Sequence, residues 1–372
     1  MKFKLVKSNR SRQYILLFAS LYIMYLIGLL YTSNFYGQEG GLFDIQVKMS
    51  LIVFPLIFAT LPTHLYSDKT REFALKSFIA GCFLAILICL VIALIQYSNT
   101  GSKHEFYYTF ISFFLHPSYF SMYLNVAIII LLNKIFLDKK SHTKFRKLIL
   151  IFLICSFMIF NILLSSKAGI IGMLIMFAIM ILYMVIWKKM FFKAVLLLLS
   201  ASVFITIFLK ILPFSTIRMN TVKEAVKKEP ARERDIAESS AERILVWGVS
   251  WEIIKENFIF GVGTGDVKLE MINIYKKHDY KNAMKLRLNA HNQFLQTFIA
   301  IGLIGLLLLI LNLILPLFYA FKKQDIIYVM FLILIIFNFL AESMLETQAG
   351  VVFYSFMNVI IFSTGKNNKL IS

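Results

Sequence analysis

Ionisable side chains are scarce in this chain. They make up 16% of its 372 residues, against 59% hydrophobic residues, and the mean hydropathy is +0.76. Soluble domains carry about 25% charged residues, so a water-soluble globular fold is excluded and an integral membrane protein is implied. There are only three cysteines, Cys82, Cys89 and Cys155, all inside apolar runs. They support neither a disulfide framework nor a metal site, which leaves buried packing as their expected role. Acidic residues number 20 against 39 Lys and Arg, a formal charge of +19. The basic excess sits in short clusters between apolar runs, so it is a topology signal and not a nucleic-acid surface. No H-E-x-x-H, no histidine pair at metal spacing, no outer-loop aspartate pair suited to a divalent ion and no G-x-S-x-G occurs. Catalysis on this chain would therefore be metal-free and rest on single polar groups. No internal repeat of 20 to 50 residues is visible, and no A-x-A-like cleavage site closes the first apolar run, which is expected to stay as a helix.

What is present is a succession of apolar runs. At about 20 residues per span, they predict an all-α polytopic fold with ten transmembrane helices, at 14–32, 47–64, 77–96, 118–137, 147–165, 168–187, 194–212, 292–320, 325–341 and 348–364. The aromatic stretch 97–117, with "FYYTFISFFLHPSYF", is apolar enough to lie in the interface or dip into the membrane, so the count runs from ten to twelve. With the N-terminus inside, the inner segments "MKFKLVKSNRSR", "DKTREFALK", "DKKSHTKFRK", "KKMFFK" and "FKK" and the tail with Lys366 and Lys369 hold twenty Lys or Arg. The short outer loops hold three, Lys48, Lys103 and Lys167. This bias predicts both termini in the cytoplasm and residues 213–290 outside. Three regions follow: an N-terminal bundle of about seven helices at 1–212, a long periplasmic loop at 213–290, and C-terminal helices at 291–372.

Long structured loops in compact proteins are usually functional. In the loop, "RMNTVKEAVKKEPARERDIAESSAER" alternates charge and predicts a solvated helix broken near Pro230, or a lid. "RILVWGVSWEIIKENFIF" instead spaces Ile244, Leu245, Trp247, Trp251, Ile254 and Phe258 as an amphipathic helix expected to lie flat on the outer membrane surface. "GVGTGD", at 261–266, follows without a preceding strand and is read as a tight turn returning the chain.

At "LNAHNQFLQTFIAIGLIGL" the loop gives way to membrane helix, and His291 stands at the junction. At about 100° per residue, Gly302 and Gly305 would fall within about 40° of His291, on a face expected to pack against protein. Other polar groups at the outer ends are Lys167 in "LLSSKAGIIG", Arg243 at the start of the amphipathic helix, and Glu346 and Gln348 in "AESMLETQAG". Each also has a plain role available, as a snorkelling side chain or a polar turn.

The pattern His291, Asn292, nine residues, Gly302, Leu303, Ile304, Gly305, Leu306 resembles the signature of the O-antigen ligase family. "RILVWGVSWEIIKENFIFGVGTGDV" is similar to that family's R-x3-W helix with its G-V-G turn, and "SSKAG" and the turn at 342–350 match further segments. The resemblance covers residues 160–360. It implies a GT-C-like membrane fold, no metal, no cofactor, and glycan transfer from undecaprenyl diphosphate on the periplasmic side of the bacterial inner membrane. It further implies His291 as base and Arg243 as a ligand of the donor diphosphate. Lys167 stands where the family usually has arginine, which keeps the charge but loses the planar fork.

An imidazole suits proton removal from a sugar hydroxyl at neutral pH. Arg243 and Lys167, with Arg218 and Arg287 as weaker candidates, suit the leaving diphosphate. The expected reaction is metal-independent, inverting transfer of an O-antigen or related polysaccharide to lipid A core. The alternatives are an O-antigen polymerase or protein O-oligosaccharyltransferase on the same scaffold, and a lipid-linked sugar transporter, which would call for ionisable residues in mid-membrane.

Overall fold

A computed structural model describes residues 9–37, 39–62, 65–138, 143–211 and 239–364. Among the described residues every regular element is helical, and the chain is an all-α polytopic membrane protein. Six helical stretches are long and apolar enough to cross a membrane: Gly41–Thr60, Asp68–Thr100, Pro117–Phe136, Lys144–Leu163, Lys167–Ile186 and Gln293–Lys322. Four shorter apolar helices, Leu16–Leu29, Phe191–Thr206, Ile326–Ala341 and Gln348–Ser363, occupy the remaining apolar runs of the sequence.

The chain divides into two compact units. One takes its described residues from Met1–Tyr66, Pro213–Lys323 and Ile335–Ser372, the other from Ser67–Leu212 and Gln324–Leu334. In the first, α1 (Asn9–Leu29) packs on α3 (Ser50–Thr60), which follows α2 (Gly41–Lys48) across a break at Met49. The apolar run expected at 47–64 thus begins six residues earlier, where the extended residue Gly40 starts the helix.

In the second unit α4 (Asp68–Thr100) is capped by Ser67, whose hydroxyl accepts the Thr70 N–H, and it stops where Gly101 turns left-handed at φ +65. The stretch after it resolves into a 3-10 turn, Lys103–Phe106, and a single helical turn, α5 (Tyr108–Ile111). Four helices follow: α6 (Pro117–Phe136), α7 (Lys144–Leu163), α8 (Lys167–Ile186) and α9 (Phe191–Ile211). α6 is buried along most of its length, and its buried Ser121 and Asn125 find hydrogen-bond partners within the unit. Asn161 donates to Asn125 Oδ1 at 2.8 Å, and Asn125 donates to the Gly169 carbonyl at 2.7 Å. Arg71 and Asp325, each 8% exposed, form a two-pronged ion pair. Cys82 and Cys89 are buried, but Cys155 faces outward from α7. Its expected packing role is corrected, because the buried positions of that helix are Leu150, Ile154, Phe157, Phe160, Asn161 and Ile162.

The rest of the first unit holds α10 (Ser239–Glu256), α11 (Val267–Lys277), α12 (Lys281–Leu286), α13 (Gln293–Lys322), the end of α14 (Ile326–Ala341) and α15 (Gln348–Ser363). α10 is the helix expected from "RILVWGVSWEIIKE", but its buried stripe is Val246, Val249, Ser250, Ile253 and Ile254, while Ile244 is exposed. Trp251, on the exposed side of this helix, and Phe258 just beyond its end meet Phe298 of α13 edge-on.

Candidate functional site

The turn "GVGTGD" organises this unit. Thr264 donates its hydroxyl to the Tyr25 carbonyl at 2.6 Å, and the Asp266 carboxylate accepts the Ser33 and Asn34 N–H groups, both at 2.7 Å. Val262 and Gly263 donate to the Ile299 and Ala300 carbonyls at 2.8 and 2.9 Å, and Leu303 donates back to Phe258 at 3.0 Å. Such exchange requires α13 to lose its own ladder, and it does: Ile301 (φ −132, ψ 22) and Gly302 (φ 65, ψ −164) leave the helical region. The helical-wheel placement of His291, Gly302 and Gly305 on one face is therefore corrected. Gly302 lies against the backbone of Ile259 and Phe260, and Gly305 against the Ile301 side chain.

His291 also precedes the helix. Asn292 is the N-cap, its Oδ1 accepting the Phe294 and Leu295 N–H groups at 2.9 and 3.2 Å. His291 is held at φ +45, an uncommon conformation for a residue with a side chain, and its N–H donates to Asn289 Oδ1 at 2.9 Å. Two further contacts fix the approach. Trp247 of α10 donates its indole N–H to the Ala290 carbonyl at 3.0 Å, and Gln293, fully buried, accepts the Leu345 N–H at 2.6 Å. The second contact, with Asn292 N–H donating to Ser343 Oγ at 3.3 Å, brings the turn after α14 to the start of α13.

That turn supplies Glu342. Its Oε2 lies 3.2 Å from His291 Nδ1 and its Oε1 accepts from Arg243 Nη2 at 3.1 Å. One carboxylate thus joins the histidine to the arginine. An ionised carboxylate only accepts, so in this contact Nδ1 is the donor, and the neutral tautomer that makes it has its lone pair on Nε2. The Arg243 Nε is buried without a partner among the described residues, which leaves a guanidinium donor unused. The three side chains are 16 to 29% exposed, so the group is partly dry but reachable.

The other expected residues distribute differently. Arg287 caps α12 at φ +50 and pairs with Glu39, as does Lys268. Burial alone would raise the Glu39 carboxyl, but the two cations hold it below the usual carboxylate range. Glu346 pairs with Lys48 at 2.8 Å. Gln348 opens α15 and faces outward. Lys167 opens α8 in the second unit and is exposed, beside the Ser166 cap that accepts the Gly169 N–H. A cation there adds to the positive end of the helix dipole. Arg218 lies outside the described residues. Among the described residues no three His, Cys, Asp or Glu gather as metal ligands.

Two residues escaped sequence reasoning. Glu342 stands four residues before Glu346 in the same turn and carries no spacing signal towards a histidine 51 positions away. Lys48 was counted as a loop charge, yet it is fully buried, 3.3 Å from Asp44 and 2.8 Å from Glu346. The i, i+4 spacing of Asp44 and Lys48 was the available clue.

Residues 150–310 match the family model described as O-antigen ligase. No curated protein matches the chain. The matched segment runs from α7 into α13 and contains Lys167, Arg243, His291, Gly302 and Gly305. That match spans 161 of the 372 residues and, in agreement with the motifs quoted above, makes this segment similar to the O-antigen ligase family.

Proposed function

We propose that this chain transfers a glycan from undecaprenyl diphosphate to lipid A core at the periplasmic face of the bacterial inner membrane, with His291 as the base. The reading rests on one observation: Glu342 holds the imidazole and the Arg243 guanidinium together, while among the described residues His291 Nε2 and Arg243 Nε have no hydrogen-bond partner. The acceptor hydroxyl gives its proton to Nε2, its oxygen bonds to the anomeric carbon, and the carbon–oxygen bond to the diphosphate breaks. Attack from the face opposite the leaving group inverts the carbon. Glu342 stabilises the imidazolium that forms, and Arg243 neutralises the departing polyprenyl diphosphate. Asn292 and the glycines position the histidine, and α10 rests its exposed face, with Ile244 and Trp251, in the interface. Both termini are cytoplasmic.

A strain lacking the chain tests this. Glycan on lipid A core should disappear and return with the wild-type gene. Loss confined to polymer length or to glycoprotein would move the acceptor to the polymerase or protein O-oligosaccharyltransferase reading, and no change in any of the three would refute transfer. Labelling of Ser239→Cys from the periplasm should succeed, and its absence in intact membranes would overturn the orientation.

A further inference from the structure

Next to the His291 group lies a cavity of about 160 Å³, lined among others by Asp44, Glu346, Lys268, Arg287, Asn289 and Gln296. The transfer chemistry above does not use it. We propose that it binds one uncharged pyranose residue of the glycan, and this inference rests on the glycan-transfer reading.

Charge comes first. Asp44 and Glu346 are both held by Lys48, which is fully buried beneath them with its ammonium 4.9 Å from the Tyr25 ring centre. Lys268 and Arg287 are both held by Glu39. Three carboxylates thus face three cations, and the cavity wall is neutral. A diphosphate seated there would have to break ion pairs before gaining any, whereas a neutral ligand leaves them intact.

The polar atoms come next. Gln296 is 6% exposed, and its Oε1 accepts the Ala290 N–H at 3.2 Å. Its Nε2 has no hydrogen bond among the described residues, although it lines the cavity. Asn289 is similar: Oδ1 is taken by the His291 N–H, and Nδ2 has no partner among the described residues. Both amides line the cavity with a donor that the described residues leave unengaged, so a ligand that brings acceptors gains hydrogen bonds there. The carboxylates offer spare lone pairs, so the same ligand must bring donors. Hydroxyl groups do both. Size restricts it further: a volume of about 150 Å³ accommodates one six-membered ring, and because this cavity opens to the outside the ring's remaining hydroxyls can stay at its mouth. Phe43 gives an apolar wall for the carbon face of such a ring. A polyhydroxylated six-membered ring satisfies all three conditions, and Asn289 ties its position to the backbone of His291.

Saturation-transfer NMR on the purified full chain, with glucose, galactose, N-acetylglucosamine and N-acetylgalactosamine as probes, tests the proposal. At least one sugar should receive saturation, and equimolar sodium pyrophosphate should not displace it. Asn289→Asp and Gln296→Glu keep the oxygen that binds the backbone N–H and replace the free donor with an acceptor. Each should weaken the sugar signal about tenfold at unchanged melting temperature. His291→Gln should retain sugar binding even though the transfer reading expects it to lose activity, so the two ideas fail separately. In transfer assays the Asn289→Asp change should raise KM for one substrate: the acceptor if the ring belongs to the acceptor, the donor if it belongs to the transferred glycan. No sugar signal, displacement by pyrophosphate, or full binding by both variants would overturn the proposal.

Discussion

Replacing Gly302 by alanine should unfold the site from beneath. Gly302 sits at φ 65 and ψ −164, a region essentially closed to residues with a Cβ, where strain costs about 1 to 3 kcal/mol. An added Cβ would stand 2.1 Å from the Ile259 carbonyl oxygen, 2.4 Å from its carbon and 2.6 Å from the Phe260 nitrogen. All three are backbone atoms, so no side chain can swing away. The turn must recede by about 1 Å, which weakens the three hydrogen bonds joining Val262, Gly263 and Leu303 across the break. Each contributes about 0.5 to 1.5 kcal/mol. Strain and lost bonds together give a destabilisation of about 3 kcal/mol or more. Gly248, in α10, has nothing within 4 Å of its Cβ position, so Gly248→Ala should be neutral or stabilise by up to about 1 kcal/mol. Thermal unfolding in detergent, with limited proteolysis of the 258–263 turn, compares the two. Equal melting temperatures for Gly302→Ala and Gly248→Ala would refute the reasoning.

Three further outcomes follow from the side-chain geometry. Arg243→Ala should weaken donor use about 10- to 150-fold, the equivalent of one charge-assisted bond of about 1.5 to 3 kcal/mol, and Arg243→Lys should rescue only part of it. Wild-type kinetics in the alanine variant would assign Arg243 to structure alone. Glu342→Gln keeps the shape of the turn but removes the charge shared by His291 and Arg243, so kcat should fall about tenfold or more with membrane insertion unchanged. An unaltered kcat would remove Glu342 from the mechanism. Asp325→Asn leaves the Arg71 charge buried without its partner and should destabilise the second unit by about 3 to 5 kcal/mol, measured as thermal unfolding in detergent. A shift no larger than that of an exposed change such as Lys76→Gln would contradict this.

The apolar helices were legible in the sequence because the membrane leaves one solution for a run of about 20 apolar residues. His291 and Arg243 stand out in the sequence by local motif spacing, and the structure joins the two through Glu342. The break in α13 was not: "AIGLIG" reads as continuous helix, and only the docking of residues 258–263 makes the non-helical Gly302 favourable. Glu342 was passed over for a related reason. Its partner His291 lies 51 positions earlier, and the Leu345 contact to Gln293 that places the turn is a backbone hydrogen bond without a sequence signature. Lys48 shows the converse, a charge assigned to a loop by local composition and drawn into the interior by Glu346, 298 positions away.

The account depends most on the proton that His291 Nε2 is proposed to take. Glutamine at 291 remains polar and of similar size, but an amide is not a base. With purified chain, lipid-linked glycan donor and acceptor, His291→Gln at matched protein concentration should lose about 10² to 10⁴ in transfer rate while keeping the wild-type melting temperature. Equal rates for wild type and His291→Gln would contradict the base assignment and leave His291 as an anchor for the start of α13.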